Sequence, residues 1–346
     1  MDIYIIFFTL LAIVSVANQQ SKNVGRYIIA LFLFILIGCR DNMVGPDTES
    51  YIDYFLQLSQ CSLMNLKNDS IFIKEPLFAL YTWCLCFVSS EYWFYLLVSS
   101  IFPVVAIYRT LKIYNKSGVD NFISILTLFV LGIASFFMSG MRQTMAMSIV
   151  LYAYPTFCNR ENIKFIIFVV IASLFHNSAI LFLLCYVARY MTLDYKNLVY
   201  VIVAAFMGTV VSQGDIQHYV SLIFSDRFSI YGDYHTETLS YSGFFIQLFL
   251  FSFCYAFRNN LKDNESHVIM NIVTFGLIFQ AFSTVLAEMF RLSMYFSLFY
   301  IILIPRAINC NTKFRSMLKI AFVSIFLVYL FFISSTYLPN FKSALI

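Results

Sequence analysis

Hydrophobic residues along the chain come in long blocks rather than in alternation. Segments such as Phe165–Phe175 and Ile320–Ile333 are apolar on every face. Short polar breaks separate the blocks, as at Asn18–Arg26, Arg109–Asp120, Arg258–His267 and Arg306–Lys319. A membrane-spanning helix needs about 20 mostly apolar residues, and many blocks reach or approach that length. Strands of a lipid-facing barrel would alternate apolar and polar residues over about 10 positions. Continuous apolar blocks leave the helix as the element that satisfies its own backbone in lipid. The pattern therefore predicts an all-α, polytopic transmembrane helical bundle, with residues 1–346 forming a single integral membrane domain. The predicted helices include Tyr92–Tyr108, Phe122–Met138, Thr144–Phe157, Leu198–Val211, Gly243–Phe257, Val268–Ala287, Leu292–Ile304 and Leu318–Ser335, with Phe165–Tyr190 as a helical hairpin. Met1–Ala17 starts with Asp2 and no basic residue. A secretory leader needs a positive start, so this segment reads as a retained helix.

Composition closes off a soluble domain. Of 346 residues, 61% are hydrophobic and 12% charged, against about 25% charged in soluble domains. The eight cysteines show no metal-ligand spacing, and most lie in apolar runs where a thiol acts as a small hydrophobe. Cys39 and Cys61 are the pair that could meet on an oxidising face. No cofactor or metal is expected. The net charge of +4 reflects topology rather than a nucleic-acid partner.

Charge then orients the helices. Lys and Arg favour cytoplasmic loops. Placing Asn18–Arg26 inside puts 15 of the 22 Lys and Arg in the cytoplasm with 5 of the 18 acids. For Arg109–Lys116 to lie inside as well, only one of two neighbouring apolar runs can cross. Pro76–Ser90 is the shorter and is bracketed by Glu75 and Glu91, so it is predicted as a re-entrant or interfacial helix. About eleven full spans result. The location expected is a bacterial inner membrane, crossed many times, with outer loops at 40–75 and 212–242.

Orientation leaves a few residues without a topological role. Arg40, Arg142 and Arg291 lie outside, at or near helix ends. A single arginine there often extends its head to lipid phosphates. Three such residues suit another chemistry, because a guanidinium binds phosphate oxygens in pairs. Glu288 stands three residues before Arg291, on the same helix face; it is either a structural partner or a positioning group. After Gly45-Pro46, Asp47 or Thr48 is a good N-cap for the amphipathic helix that carries Tyr51, Tyr54, Phe55 and Leu58; Asp47 is either that cap or a carboxylate at the mouth of a site. His176, with Asn177 and Ser178, interrupts an apolar segment at the outer face. It is either a hydrogen-bonded core residue or a general base. The outer segment Ser212–Ser242, with Arg227, mixes Tyr with Asp and His, as carbohydrate sites do and as ordinary interfacial loops also do. No nucleotide-binding loop, Ser-His-Asp string or zinc spacing is present.

Four pieces carry a resemblance: Gly38-Cys39-Arg40 leading to Val44-Gly45-Pro46-Asp47-Thr48 and Tyr51; Glu75-Pro76-Leu77-Phe78; Gly140-Met141-Arg142-Gln143-Thr144; and Ser173-Leu174-Phe175-His176-Asn177-Ser178. In that order they resemble the EpsG-like group of Wzy-type polysaccharide polymerases, over about residues 35–185; the rest is similar only in hydropathy. The resemblance implies a GT-C/Wzy-like bundle and a metal-independent glycosyltransferase. Its substrates would be undecaprenyl-diphosphate-linked oligosaccharides, joined into O-antigen or exopolysaccharide at the periplasmic face. Membrane lipids and a chain-length regulator protein would be its partners. In that reading Arg142 and Arg291, with Arg40, hold the diphosphate. His176 or Asp47 takes the acceptor proton. Gln143, Glu75, Tyr51, Arg227 and Glu288 orient the substrate. The rival readings are a lipid-linked oligosaccharide flippase, an O-antigen ligase, an acyltransferase and a scaffold for chain-length control.

Overall fold

A computed structural model describes residues 7–13, 22–192, 199, 201, 203, 207, 241–283 and 287–337. Among these residues the chain is all-helical, with no β-sheet. Arg227 and nearly all of the outer segment Ser212–Ser242 lie outside the described residues, as does most of the predicted helix Leu198–Val211.

The chain divides into two compact units, Met1–Leu183 with Phe314–Ile346, and Leu184–Lys313. In the first unit the helices are α1 (Lys22–Gly38), α2 (Thr48–Ser59), α3 (Leu63–Leu66), α4 (Ser70–Lys74), α5 (Pro76–Cys86), α6 (Tyr92–Tyr114), α7 (Gly118–Val130), α8 (Ile133–Phe137), α9 (Met141–Cys158) and α10 (Asn162–Phe175). A 3-10 helix, Asn177–Leu184, comes next. The second unit holds α11 (Cys185–Tyr190), α12 (Ser242–Ala256), α13 (Asn264–Phe282), α14 (Ala287–Ser297) and α15 (Tyr300–Asn309). The last helix, α16 (Arg315–Tyr337), returns to the first unit.

Among the described residues three helices are long and apolar enough to cross a membrane: Tyr92–Tyr114, Asn264–Phe282 and Arg315–Phe332. Glu288–Ser297 and Tyr300–Asn309 make a fourth if the pair, bent by 44°, is one span. Several shorter apolar helices accompany them. About eleven full spans were expected from hydropathy, and the described residues provide three or four. The reason is visible in the breaks. The predicted span Phe122–Met138 stops at Val130, Gly132 takes a left-handed φ of 70°, and a five-residue helix comes after it. An average over an apolar window does not register such a break. The Phe165–Tyr190 hairpin is likewise three pieces, interrupted at His176. Pro76–Ser90 was expected to be a short re-entrant or interfacial helix. The helix α5 has 11 residues, which at 1.5 Å per residue covers about half of a bilayer core.

In the first unit α1 packs on α6, α6 on α9, α9 on α10, and α16 on α7. Lys319 on α16 reaches the buried Asp120 at 2.7 Å. Asp120 also closes a capping box with Ser117 at the start of α7. In the second unit α13 packs against α11, α12, α14 and α15. Some of its buried polar groups pair across helices: Gln247 donates to Gln280 at 3.1 Å and to Ser293 at 3.0 Å. Arg306 bridges Asp263 at 3.1 Å and Glu265 at 2.7 Å. Cys39 and Cys61 are both free thiols.

The turn before α2 is pinned against the end of α8. Gly45 has φ 93°, and a Cβ there would come within 2.4 Å of the Met138 carbonyl oxygen. Only glycine combines that backbone with that approach. Thr48 fastens the same contact, its hydroxyl donating to the carbonyls of Val44 and Met138 at 2.6 and 2.9 Å. Gly45→Ala should therefore cost about 1–3 kcal/mol, read as a lowered melting temperature of the purified protein in detergent. An unchanged melting temperature would contradict the packed turn.

Candidate active site

Glu75 is the hub. It ends α4 and begins α5, and its backbone serves both helices: its N–H donates to Ile71 at 2.7 Å, and its carbonyl accepts from Phe78 and Ala79. Pro76 comes next, at the first helical position, where a missing N–H costs nothing. The Glu75 residue is 4% exposed. Its two carboxylate oxygens take different partners. Oε2 accepts from Arg142 Nη1 at 2.7 Å, and Oε1 meets His176 Nδ1 at 2.6 Å.

Arg142 stands in the first turn of α9. A cation is disfavoured there by the helix dipole, so its place depends on outside partners. Nη1 is held by Glu75, and Nε donates to the Tyr51 hydroxyl at 3.4 Å. The Tyr51 ring centroid lies 5.8 Å from the guanidinium carbon. Those contacts leave the Nη2 amino group for a ligand. Burial works against the Arg142 charge, but Tyr51 and Glu75 outweigh it and push its pKa up.

His176 is where α10 ends. Its N–H closes the last helical turn onto Ala172 at 2.9 Å while its own backbone becomes extended. The side chain is turned to Glu75 and remains about one-fifth exposed. An ionised carboxylate on Nδ1 selects the tautomer with the proton on that nitrogen, which leaves Nε2 as the acceptor. Burial alone would raise the Glu75 carboxyl. The hydrogen bond to His176, with the charge of Arg142, holds it below the usual carboxylate range.

That direction fixes a sign for pH. A carboxyl with a depressed folded-state pKa stabilises the protein fully above its unfolded value, about 4.3. The contribution is lost as pH falls through the lower folded value. Thermal stability in detergent should therefore fall from pH 6 to pH 3 more steeply for the wild type than for Glu75→Gln. Parallel curves would remove Glu75 from this role.

Asp47 lies on the rim of the cluster. It is the N-cap residue of α2 by position, yet its side chain makes no capping bond. It accepts from the Ser139 hydroxyl at 3.2 Å instead. Tyr54 and Asp69 brace the neighbourhood: the phenol donates to Asp69 at 2.9 Å, and the same carboxylate caps α4. The geometry thus brings together Asp47, Tyr51, Glu75, Arg142 and His176. Ser139 was missed by sequence reasoning, its place shortly before Arg142 being the available signal; Thr48 was read there as a possible cap and instead anchors the turn to Met138.

The other predicted site residues have contacts of their own. Gln143 is buried within the first unit and donates to Met147 Sδ at 3.8 Å. Arg40 is buried, with its Nη1 on the Ile37 carbonyl. In the second unit Arg291 pairs with Glu288 at 3.8 Å, both partly exposed. Surface pairs of that kind contribute about 0–1 kcal/mol. Among the described residues no group of three or more His, Cys, Asp or Glu side chains could hold a metal ion.

Long apolar helices, breaks between them, and an ionic cluster built at helix ends define a helical protein of the multi-pass membrane class. The model of the EpsG family matches residues 23–344, and the chain belongs to that family. Membership is consistent with a membrane protein of exopolysaccharide biosynthesis. No curated protein and no solved structure matches the chain.

Proposed function

We propose that the chain is a glycosyltransferase of the polysaccharide-polymerase type. It would join undecaprenyl-diphosphate-linked oligosaccharide repeats at the periplasmic face of the inner membrane. One observation carries the reading: a single buried carboxylate, Glu75, orients a histidine through one oxygen and an arginine through the other. A base and a cation are thereby placed together, as displacement of a diphosphate requires.

In the proposed step a hydroxyl of the acceptor sugar attacks the anomeric carbon of the donor chain. The new C–O bond forms as the bond from that carbon to the diphosphate oxygen breaks. The hydroxyl proton passes to His176 Nε2, and the electron pair leaves with the lipid diphosphate. Arg142 Nη2 stabilises the charge that develops on the departing phosphate. Asp47, with Ser139, is positioned to accept hydrogen bonds from sugar hydroxyls.

Grouping of charges supports the sidedness used here. Residues assigned to the outer face meet one another, as Glu75, Arg142 and His176 do. Residues assigned to the inner face also meet: Asp120 with Lys319, and Arg306 with Asp263 and Glu265. The test is product analysis of a deletion strain with and without the restored chain. Lipid-linked product of a single repeat in the deletion, and long chains on restoration, are expected. Long chains in the deletion would refute polymerisation. Transport of labelled lipid-linked sugar without elongation would refute it in favour of a flippase.

A further inference from the structure

Arg40 is 1% exposed, and only its Nη1 has a partner, the Ile37 carbonyl. Its Nε and Nη2 have none. Arginine stays charged inside proteins, and a buried charge is tolerated when it is paired. Arg40 lines a cavity with Ser99, Ser100 and Thr144, closed by Phe137 and methionine side chains, and no acid is among the lining residues. The Thr144 hydroxyl is also buried and without a partner. Ser99 shares a hydrogen bond with Tyr81 at 3.1 Å, so one of those two hydroxyls can turn its proton elsewhere. Met141 and Thr144 belong to the first turn of α9, an 18-residue helix whose start is the positive end of its dipole. Arg142 and Thr144 are two positions apart, so they leave this helix on roughly opposite sides. The Arg40 cavity and the Glu75 cluster are thus separate places served by one helix start.

We propose that this cavity is a small-anion site, with Arg40 Nε and Nη2 and the Thr144 hydroxyl as donors. The free space is about 10 Å³, room for about one water molecule. It fits a halide ion, or a single phosphoryl oxygen reaching in from a larger group. Both present the same chemistry, a hard anion that accepts N–H and O–H donors and neutralises the guanidinium. The site extends beyond the proposed polymerase reading and does not depend on it.

The test uses the full chain purified in detergent, with thermal stability as the readout. Sodium chloride, sodium bromide and sodium phosphate are each titrated against sodium gluconate at equal ionic strength. A saturable rise of about 3 °C over gluconate is expected. A rise with chloride or bromide identifies a halide source, and a rise with phosphate alone identifies a phosphoryl source. Thr144→Val should shift the midpoint of that rise at least about tenfold to higher anion. Arg40→Met should abolish it, whereas Arg142→Gln should keep it. No rise with any of the three salts in the wild type overturns the proposal, as does an undiminished rise in Thr144→Val or Arg40→Met. Because the resting protein's stability is read, these outcomes leave polymer formation to its own test.

Discussion

Glu75→Gln is expected to cut polymer formation by about 10²–10⁴-fold. The amide keeps the shape of the side chain but not its charge. It can no longer accept from both Arg142 at 2.7 Å and His176 at 2.6 Å as an anion. The histidine then loses the group that selects its tautomer, and the arginine is left at a helix start without its counter-charge. Removing one member of a buried pair costs about 3–5 kcal/mol. Arg142 is about one-third exposed, so solvent reduces the stability loss here to about 2–3 kcal/mol. The measurement is the initial rate of polymer formation in membranes, normalised to the amount of folded protein. Normal chain lengths at a normal protein level would remove Glu75 from the mechanism.

His176→Ala should reduce the same rate by about 10²–10⁴-fold while perturbing the fold less. The side chain is partly exposed and ends a helix rather than filling a core position. The informative comparison is the double variant. If Glu75 acts on the reaction through His176 and Arg142, adding Glu75→Gln to His176→Ala should lower the rate by much less than it does alone. Full additivity of the two losses would show that Glu75 and His176 act independently. A pH–rate profile adds a check that a structural role would not move: the limb due to the base should vanish in His176→Ala.

Local rules made much of the site legible. Gly45-Pro46, Glu75-Pro76, Gly140 and His176 all mark interruptions of apolar sequence, and each is an element boundary in the structure. Proline, glycine and polar residues act over a few positions, so their effect can be read without the fold. That Asp47 makes no capping bond was not a local matter. It turned on Met138 and Ser139, which take up Thr48 and Asp47 from 90 and 92 positions away in the chain. The number of full-length spans was also beyond hydropathy, because the break at Gly132 is a backbone conformation within an apolar run.

Sequence by itself determined the class. A chain that is 61% hydrophobic in long blocks can satisfy its backbone in lipid only as helices. It also singled out Arg40, Arg142 and Arg291 as cations without a topological role. Only the tertiary structure gave each of the three its partners. Arg142 was joined to Glu75, 67 positions away, and Glu75 to His176, 101 positions away. Arg291 was left on a partly exposed pair with its own helix neighbour. Arg40 was buried with two donors unpartnered, in the lining of a small cavity. Charge and hydropathy assign a residue to a side of the membrane. Which carboxylate it meets, or whether it meets none, is set by helix packing, and that is a property of distant contacts rather than of neighbours in the chain.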